Sequence, residues 1–355
     1  MNFVHIADMH FDVPFTTLNK HELGNERRLE QREAFRKIIQ YIKQNNIGYL
    51  FICGDLYEHE YVKQSTIEFI NNQFKEIEDT KIYIVPGNHD PYLKNSYYSK
   101  FSWNKNVYIF SSEPQKVSEN DVCIYGYGFD NFYMKNTKMQ NIKIEDKSKI
   151  NILLTHASID GARDELREYN PAKEQELRKL DFDYIGLGHI HKPYYNEYPN
   201  QKIVYPGSSI SLGFDELGSH GMIVGNIDEN KKLEIAFVPV DKKKFVEINL
   251  QVDDILSKED LIEFINSQNW DENCYYKIIL TGKRNFEIEP LEILKYVTIQ
   301  NIIKIKDDTT IKLDLEKIAK EESLRGIFVK NLLAKMDSQN EEQILKAIEI
   351  GLEAM

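Results

Sequence analysis

Five short apolar runs in this chain each break off into polar residues of one kind. Phe3-Val4 leads to Asp8-Met9-His10, Leu50-Phe51-Ile52 to Gly54-Asp55, and Ile82-Tyr83-Ile84-Val85 to Gly87-Asn88-His89-Asp90. Further on, Ile152-Leu153-Leu154 leads to Thr155-His156, and Tyr184-Ile185-Gly186-Leu187 to Gly188-His189-Ile190-His191. Runs this short, bounded by Gly and polar residues, read as fully buried strands. In a sheet flanked by helices, the loops leaving one end of the strands gather at a single rim, where ligands bind. The spacing therefore predicts an α/β fold whose rim collects carboxylates, an amide and imidazoles.

That inventory suits two adjacent divalent metals. Imidazole nitrogen with carboxylate oxygen favours borderline first-row ions such as manganese, iron or zinc. Asp55, heading its own strand behind Gly54, is the natural bridge, since one carboxylate can span two cations about 3.5–4 Å apart. Ions so placed clamp a phosphoryl group and lower the pKa of a water between them. Cys53 sits inside an apolar run, where a small buried side chain is the simpler reading. A single His at a strand end is ordinarily structural. Here five of the nine His fall in these motifs, in the joint order DxH, GD, GNHD, H, GHxH. The others, His5, His21, His59 and His220, have no such company and are expected to be structural.

The order and wording of the motifs resemble the calcineurin-like metallophosphoesterase superfamily. Within it, His5–Asp12 with Pro14-Phe15, Phe182–Pro193, Tyr205-Pro206-Gly207-Ser208 and Phe214-Asp215-Glu216 are similar to SbcD-type DNA-repair exonucleases, particularly their YhaO-like branch. The resemblance implies a two-sheet sandwich flanked by helices. It implies one metal on Asp8, His10, Asp55 and His191, and a second on Asp55, Asn88, His156 and His189. His89 would stay off the metals as the acid that protonates the leaving oxygen, with Asp90 orienting its ring. Where archaeal and eukaryotic relatives carry a His three residues after the bridging Asp, this chain has Glu58, with His59 next to it. Glu58, His59, Lys283 and Arg284 are candidate substrate contacts.

The function so implied is a DNA exonuclease or endonuclease subunit that hydrolyses phosphodiesters through a dinuclear metal-bound hydroxide, with Mn2+ as the expected metal. An SbcC-like SMC-type ATPase, engaged through C-terminal helices, and a second copy of the chain are the implied partners in DNA repair. For the dimer, the Ile67/Ile70/Phe74/Ile77 face of a helix is a candidate contact, although such a face equally suits packing on the sheet. Two rivals stand beside this reading: a phosphodiesterase or phosphatase for a small nucleotide or a phosphoprotein, and a scaffold that has lost catalysis. A small-substrate enzyme has no need of the extra C-terminal elements, and every ligand position here holds a competent residue.

Charge is the awkward observation. Lys+Arg 45 against Asp+Glu 57 gives −12, with a pI near 5.4, the wrong sign for a free-standing DNA binder. From residue 251 onward 14 basic residues face 21 acidic ones, so most of the deficit lies outside the motif-bearing part. The basic clusters Arg27-Arg28 with Arg32 and Arg36-Lys37, Lys242-Lys243-Lys244 and Lys283-Arg284 read as solvated faces. Mean hydropathy is −0.51, and no apolar run approaches membrane-spanning length. Asp8 already belongs to the site, so no cleavable leader is expected. Three Cys make no pairing framework, and the expected location is cytoplasmic, away from membranes.

Helices are expected over residues 26–45, with Leu29, Phe35, Ile38, Ile39 and Ile42 inward, and over 65–78 with Ser65 as N-cap. Shorter strands after about residue 105 suggest the second sheet, with loops over 112–148. The expected domains are 1–242, a metallophosphoesterase domain; 243–312, a small α+β capping domain; and 313–355, a helical partner-binding segment. In that last segment Leu324, Ile327, Phe328, Leu332, Leu333 and Met336 make an apolar stripe, continued by Ile344, Leu345, Ile348 and Leu352, that has little core of its own and must dock on the partner or on the chain's own capping unit. A cut at Ser323 is therefore expected to leave a folded enzyme without its partner.

Overall fold

The computed structural model describes residues 1–18, 21–160, 169–193, 202–312 and 315–354. It divides into two compact units, one of residues 1–246 with 272–275 and the other of 247–271 with 276–355.

In the first unit, β1 (Asn2–Ile6), α1 (His21–Gln44), β2 (Tyr49–Cys53), α2 (Gln64–Lys75), β3 (Lys81–Val85), α3 (Tyr97–Lys100) and β4 (Val107–Ile109) follow one another. Strands β1 to β4 lie parallel and adjacent, as helical crossovers require. Next come β5 (Gln115–Ser118), β6 (Val122–Gly126), β7 (Ile150–His156), α4 (Glu174–Lys179), β8 (Tyr184–Gly188) and β9 (Ile203–Val204). These five strands form a second sheet in sequence order, parallel from β6 to β9. The chain then returns to the first sheet through β10 (Gly221–Ile227) and β11 (Leu233–Pro239), with β10 antiparallel to β1.

The two sheets face each other across one core. Phe3, Phe51, Cys53, Tyr83 and Val85 of the first sheet meet Ile124, Ile152, Leu154, Tyr184 and Val204 of the second. Because side chains alternate along a strand, Val4, Ile6, Leu50, Ile52, Ile82 and Ile84 are buried on the other face of the first sheet. The fold is the expected two-sheet α/β sandwich flanked by helices.

Four local expectations need correcting. Helix α1 buries Phe35, Ile38, Ile39 and Ile42, but Leu29 is 66% exposed. Helix α2 starts at Gln64 behind Lys63, so Ser65 lies inside its first turn and caps nothing. Its face of Ile67, Ile70 and Phe74, with Ile77 just beyond, is buried inside the chain, which withdraws it as a subunit contact. Arg27 is likewise no surface cation: it is fully buried, with Nη1 2.9 Å from Asp241 Oδ1 and 2.9 Å from Glu30 Oε2.

The second unit holds β12 (Lys244–Gln251), α5 (Lys258–Ser267), β13 (Cys274–Thr281), β14 (Lys283–Arg284), α6 (Pro290–Tyr296), β15 (Ile302–Asp307) and β16 (Thr310–Ile311), some strands crossing its edge. Ser257 caps α5 by accepting from Asp260 N, and Pro290 opens α6, a first-turn position that needs no N–H. The chain ends in α7 (Leu315–Ile318), α8 (Leu324–Leu333) and α9 (Glu341–Glu353); residues 313 and 314, where the helical segment was expected to begin, lie outside the described residues. Ile318, Val329 and Ile348, one from each helix, form a shared core with Phe328, Leu332 and Leu333 packed against it. The stripe is thus partly covered by its own neighbours, and a cut at Ser323 would split that core. Leu324 and Ile327 stay exposed. No helix among the described residues is long and apolar enough to cross a membrane.

Candidate metal centre

The five motif loops leave the same ends of strands in both sheets, and their side chains converge. Asp8 and His10 follow β1, Asp55 follows β2, Asn88 and His89 follow β3, His156 ends β7, and His189 and His191 follow β8. The turns are tight: Asp8, His10, Asp55 and His189 have φ of 51°, 47°, 52° and 101°. Gly54 adopts φ 87°, and a Cβ there would overlap the His156 ring. A Cβ on Gly188 would run into the Cys53 carbonyl. These two positions need glycine because the loops of the two sheets touch.

Three of the imidazoles are held by their Nδ1. His156 Nδ1–H donates to the Cys53 carbonyl at 2.8 Å, which turns its Nε2 lone pair toward Asp55 Oδ2 at 3.3 Å and Asn88 Oδ1 at 2.9 Å. His10 Nδ1–H donates to Glu58 Oε1 at 2.7 Å, and His191 Nδ1–H to Glu216 Oε1 at 2.8 Å. The Nε2 atoms of His10 and His191 then face each other 3.1 Å apart, with Asp55 Oδ2 3.8 Å from His10 Nε2. Lone pairs pointed at lone pairs repel unless a cation lies between them. Two groups, Asp8/His10/His191 and Asp8/Asp55/His156, keep one donor atom per residue within 4.8 Å of one another. Asp55 Oδ2 faces both sides, the geometry of a bridge. The donor set fits two divalent ions of the borderline class.

Protons respond to the same crowding. Burial pulls His156 down, but the Asp55 carboxylate outweighs it and raises the ring to about 9. Burial also opposes charge on His191, and the Glu216 hydrogen bond with Asp8 raises it to about 9. Against its own burial, Asp55 is held well below the carboxylate range by His156. A proton on these rings occupies the electrostatic place of a cation. His189 differs: burial and then its neighbour His156 lower it to about 3. Its ring lies beside His156 with centroids 5.2 Å apart, its backbone N–H donates to both Asp8 oxygens at 3.1 Å, and among the described residues it stands outside the three clusters of metal-ligand type.

His89 sits at the edge of the centre with a side chain 45% exposed. Its backbone N–H donates to Asp55 Oδ1 at 2.8 Å, and its ring stands edge-on to His10. The residue against its Nδ1 is Glu58, at 2.9 Å. Asp90 does not perform that task. Its two oxygens accept from the backbone N–H of Asp55, Leu56 and Gly87, at 3.0, 2.6 and 2.6 Å, and from the Tyr98 hydroxyl at 2.6 Å. A carboxylate pointed at three amides of its own loops shapes those loops and has nothing left for His89. Glu58 instead spans His10 and His89 with one oxygen each. Burial raises its pKa, the two imidazoles more than compensate, and it falls to about 2. The third cluster, His10/Glu58/His89, is this hydrogen-bonded triplet.

Of the remaining candidates, His59 stays beside His89. His59 donates its backbone N–H to the His89 carbonyl at 2.9 Å and turns its ring edge to Phe132. Arg284, in the second unit, is engaged by Thr309 Oγ1 at 2.8 Å, the Phe286 carbonyl at 2.6 Å and Asp307 at 3.3 Å; Lys283 is exposed. His5 and His220 are buried, with Nδ1 2.8 Å from the Tyr184 hydroxyl and 2.8 Å from Ser208 Oγ respectively. The side chain of His21 lies outside the described residues. Sequence reasoning assigned no role to Glu216 or Tyr98 and offered Glu58 as a substrate contact, without its hydrogen bonds to His10 and His89. The only signal for Glu58 is its place three residues after Asp55.

The family model of the calcineurin-like phosphoesterases matches residues 1–193, which include every position from Asp8 to His191. Among curated relatives, the chain is 26% identical over 332 residues to the SbcD component of the SbcCD nuclease of Staphylococcus epidermidis, covering 84% of this chain and 83% of that protein. It is 24% identical over 231 residues to the metallophosphoesterase YhaO of Bacillus subtilis, covering 62% of this chain and 56% of the relative. With the DNA double-strand break repair protein Mre11 of Methanopyrus kandleri it shares 24% identity over 271 residues, 68% of this chain and 57% of the other. Among solved structures, TT1561 of Thermus thermophilus superposes with a TM-score of 0.37 at 12% identity, over 67% of this chain and 98% of that one. The donor atoms and the family match together describe a metal-dependent phosphoesterase. The chain belongs to the calcineurin-like phosphoesterase family.

Proposed function

We propose that this phosphoesterase is a nuclease subunit that cleaves the phosphodiester backbone of DNA, as an exonuclease or endonuclease, with manganese as the working metal. The observation that supports it most is the joint geometry of Asp55 and His89: the carboxylate that would bridge the ions accepts from the backbone of the very residue whose ring stands at the open edge. Two divalent ions at this centre would neutralise phosphoryl charge and supply an activated water. The chain's own residues do the rest. Asp8, His10, Asp55 and His191 would hold one ion, and Asp55, Asn88, His156 and His189 the other. His89 delivers the proton that the departing alkoxide needs. Glu58 fixes the Nδ1–H of both His10 and His89, so that each ring presents Nε2 to the reaction. Nitrogen-rich donors favour manganese over magnesium, which prefers oxygen.

The similarity to an SbcCD component over 84% of the chain supports DNA as substrate and an SbcC-like ATPase as partner, with α7–α9 and the exposed Leu324 and Ile327 as its docking element. We further propose a dimer, through a surface other than the buried face of α2, and a capping role for the α+β part of the second unit. The rival on the same centre is a phosphodiesterase or phosphatase for a small ester, because the ions meet only the phosphate. Purified protein with manganese, given linear duplex DNA, hairpin DNA and bis(p-nitrophenyl) phosphate, separates the two. Cleavage of DNA ends or hairpins supports the nuclease; turnover of the small ester alone transfers the assignment to the rival.

A further inference from the structure

Beside the centre lies a depression of about 440 Å³ that takes Asn88 and His89 as part of its wall. The rest of that wall is largely aromatic. Phe132 has the edge of His59 against it, ring centroids 5.9 Å apart. Tyr133 and Tyr169 lie 5.9 Å apart and inclined by only 35°, and Tyr169 continues to the ring of His189 at 4.8 Å. A line of rings thus runs from a motif histidine to the surface. Tyr61, Phe132 and Tyr133 are 52%, 36% and 48% exposed. Aromatic side chains contribute most when buried, and scattered exposure of one is ordinary, but three around one hollow at a reaction centre mark a binding surface.

The wall is built before any ligand arrives. Met134 and Tyr169 pair as an isolated β-bridge. Asn170 N–H donates to the Met134 carbonyl at 2.7 Å, and Ser158 N–H to the Tyr169 carbonyl at 3.0 Å. The residues after Phe132 and the end of the β7 loop are therefore tied together. The charge of the hollow is equally informative. Among the described residues no Lys or Arg lines it, while Glu58 and Glu60 do. A second phosphate would be repelled; a flat, uncharged ring would not.

We propose that this hollow is a nucleobase subsite, which receives an unpaired base of the nucleotide whose phosphate lies at the metal centre. The inference rests on the phosphoesterase reading of that centre. A base still stacked in a duplex cannot enter, so the subsite selects frayed, flipped or single-stranded nucleotides, in the way that aromatic platforms bind bases without reading sequence.

Calorimetry on the manganese-loaded protein tests this with 2′-deoxyadenosine 5′-monophosphate against 2-deoxyribose 5-phosphate, which differ only in the base. Stacking predicts that the nucleotide binds roughly tenfold more tightly or better, and that Phe132→Ala, or independently Tyr133→Ala, removes most of that difference. Both side chains are partly exposed, so their loss spares the core. Equal affinities in the wild type, or a difference untouched in both variants, overturns the subsite. If bis(p-nitrophenyl) phosphate is still hydrolysed in that case, only the subsite falls. If neither phosphate binds and no manganese-dependent hydrolysis is seen, the reading of the centre falls and the subsite with it.

Discussion

Glu58→Gln changes one atom and should disturb two histidines at once. In the native site, Oε1 accepts from His10 Nδ1 at 2.7 Å and Oε2 from His89 Nδ1 at 2.9 Å. A glutamine keeps one acceptor oxygen and offers an NH2 to the other ring. That ring must move its proton to Nε2 to receive it. If His10 yields, it loses the lone pair that faces His191; if His89 yields, its proton is no longer fixed by a negative charge. A hydrogen bond to a charged partner contributes about 1.5–3 kcal/mol, and losing such a support behind a metal ligand typically lowers metal affinity or activity by about 10–100-fold. The assay is hydrolysis of bis(p-nitrophenyl) phosphate against manganese concentration and pH. Burial lowers the His89 pKa, while the Glu58 hydrogen bond, followed by Asp55, lifts it to about 9. His89 acts while protonated, so the wild-type rate should hold below that value and fall as pH rises through it. In Glu58→Gln the fall should begin at lower pH, and more manganese should be needed for half-activity. A variant with both curves unchanged would refute the bridging role.

Asp90→Ala should act on the fold instead, leaving three backbone amides and a tyrosine hydroxyl without their acceptor. At about 1–3 kcal/mol for each buried donor, relieved in part by entering water, a loss of roughly 3–6 kcal/mol follows, read as a lower thermal midpoint; a melt like the wild type's would return Asp90 to a role at His89. Gly54→Ala should abolish stoichiometric manganese binding by displacing His156, and a variant that keeps both ions would contradict the tight approach of the loops. In metal-free protein, His156 and His191 carry raised pKa values of about 9 and His5 and His189 lowered ones of about 3. The raised pair stabilises below the ordinary His value and loses that contribution toward pH 9, whereas the lowered pair costs stability below the ordinary value. Thermal midpoints should therefore peak near neutrality and decline on the alkaline side. Removing residues from Leu315 onward should leave a folded, manganese-dependent esterase, whereas a cut at Ser323 should be less stable, because it strands Ile318; equal stability of the two would deny the three-helix core.

What could be read from the sequence follows from range. Strand interiors and the residues that end them are local signals, so β1, β2, β3, β7 and β8 and the polar motifs behind them are visible as apolar runs with a stop. Partners that arrive from far along the chain are not. Glu216 reaches His191 from 25 residues away, and Glu58 reaches back to His10 from 48. Asp90 stands next to His89 in sequence, which made it the obvious partner; the turn sends its side chain backward to the amides of Asp55 and Gly87. Helical periodicity likewise finds the buried faces of α1 and α2 but cannot say that the face of α2 is taken up by its own chain. In the tail, an apolar stripe looks unpartnered until α7, α8 and α9 are folded on each other.

The four motif residues with positive φ carry one more consequence. A left-handed backbone costs L-residues roughly 1–2 kcal/mol, somewhat less when they are Asp or His, and glycine is free of that strain. Asp8, His10, Asp55 and His189 thus occupy places where backbone ease and chemistry ask for different residues. Glycine there would relieve the strain, but it would leave the His89 and His189 N–H groups without their carboxylate acceptors and the protein inert. Only a selection that also demands phosphoester turnover keeps side chains where the backbone would rather have none.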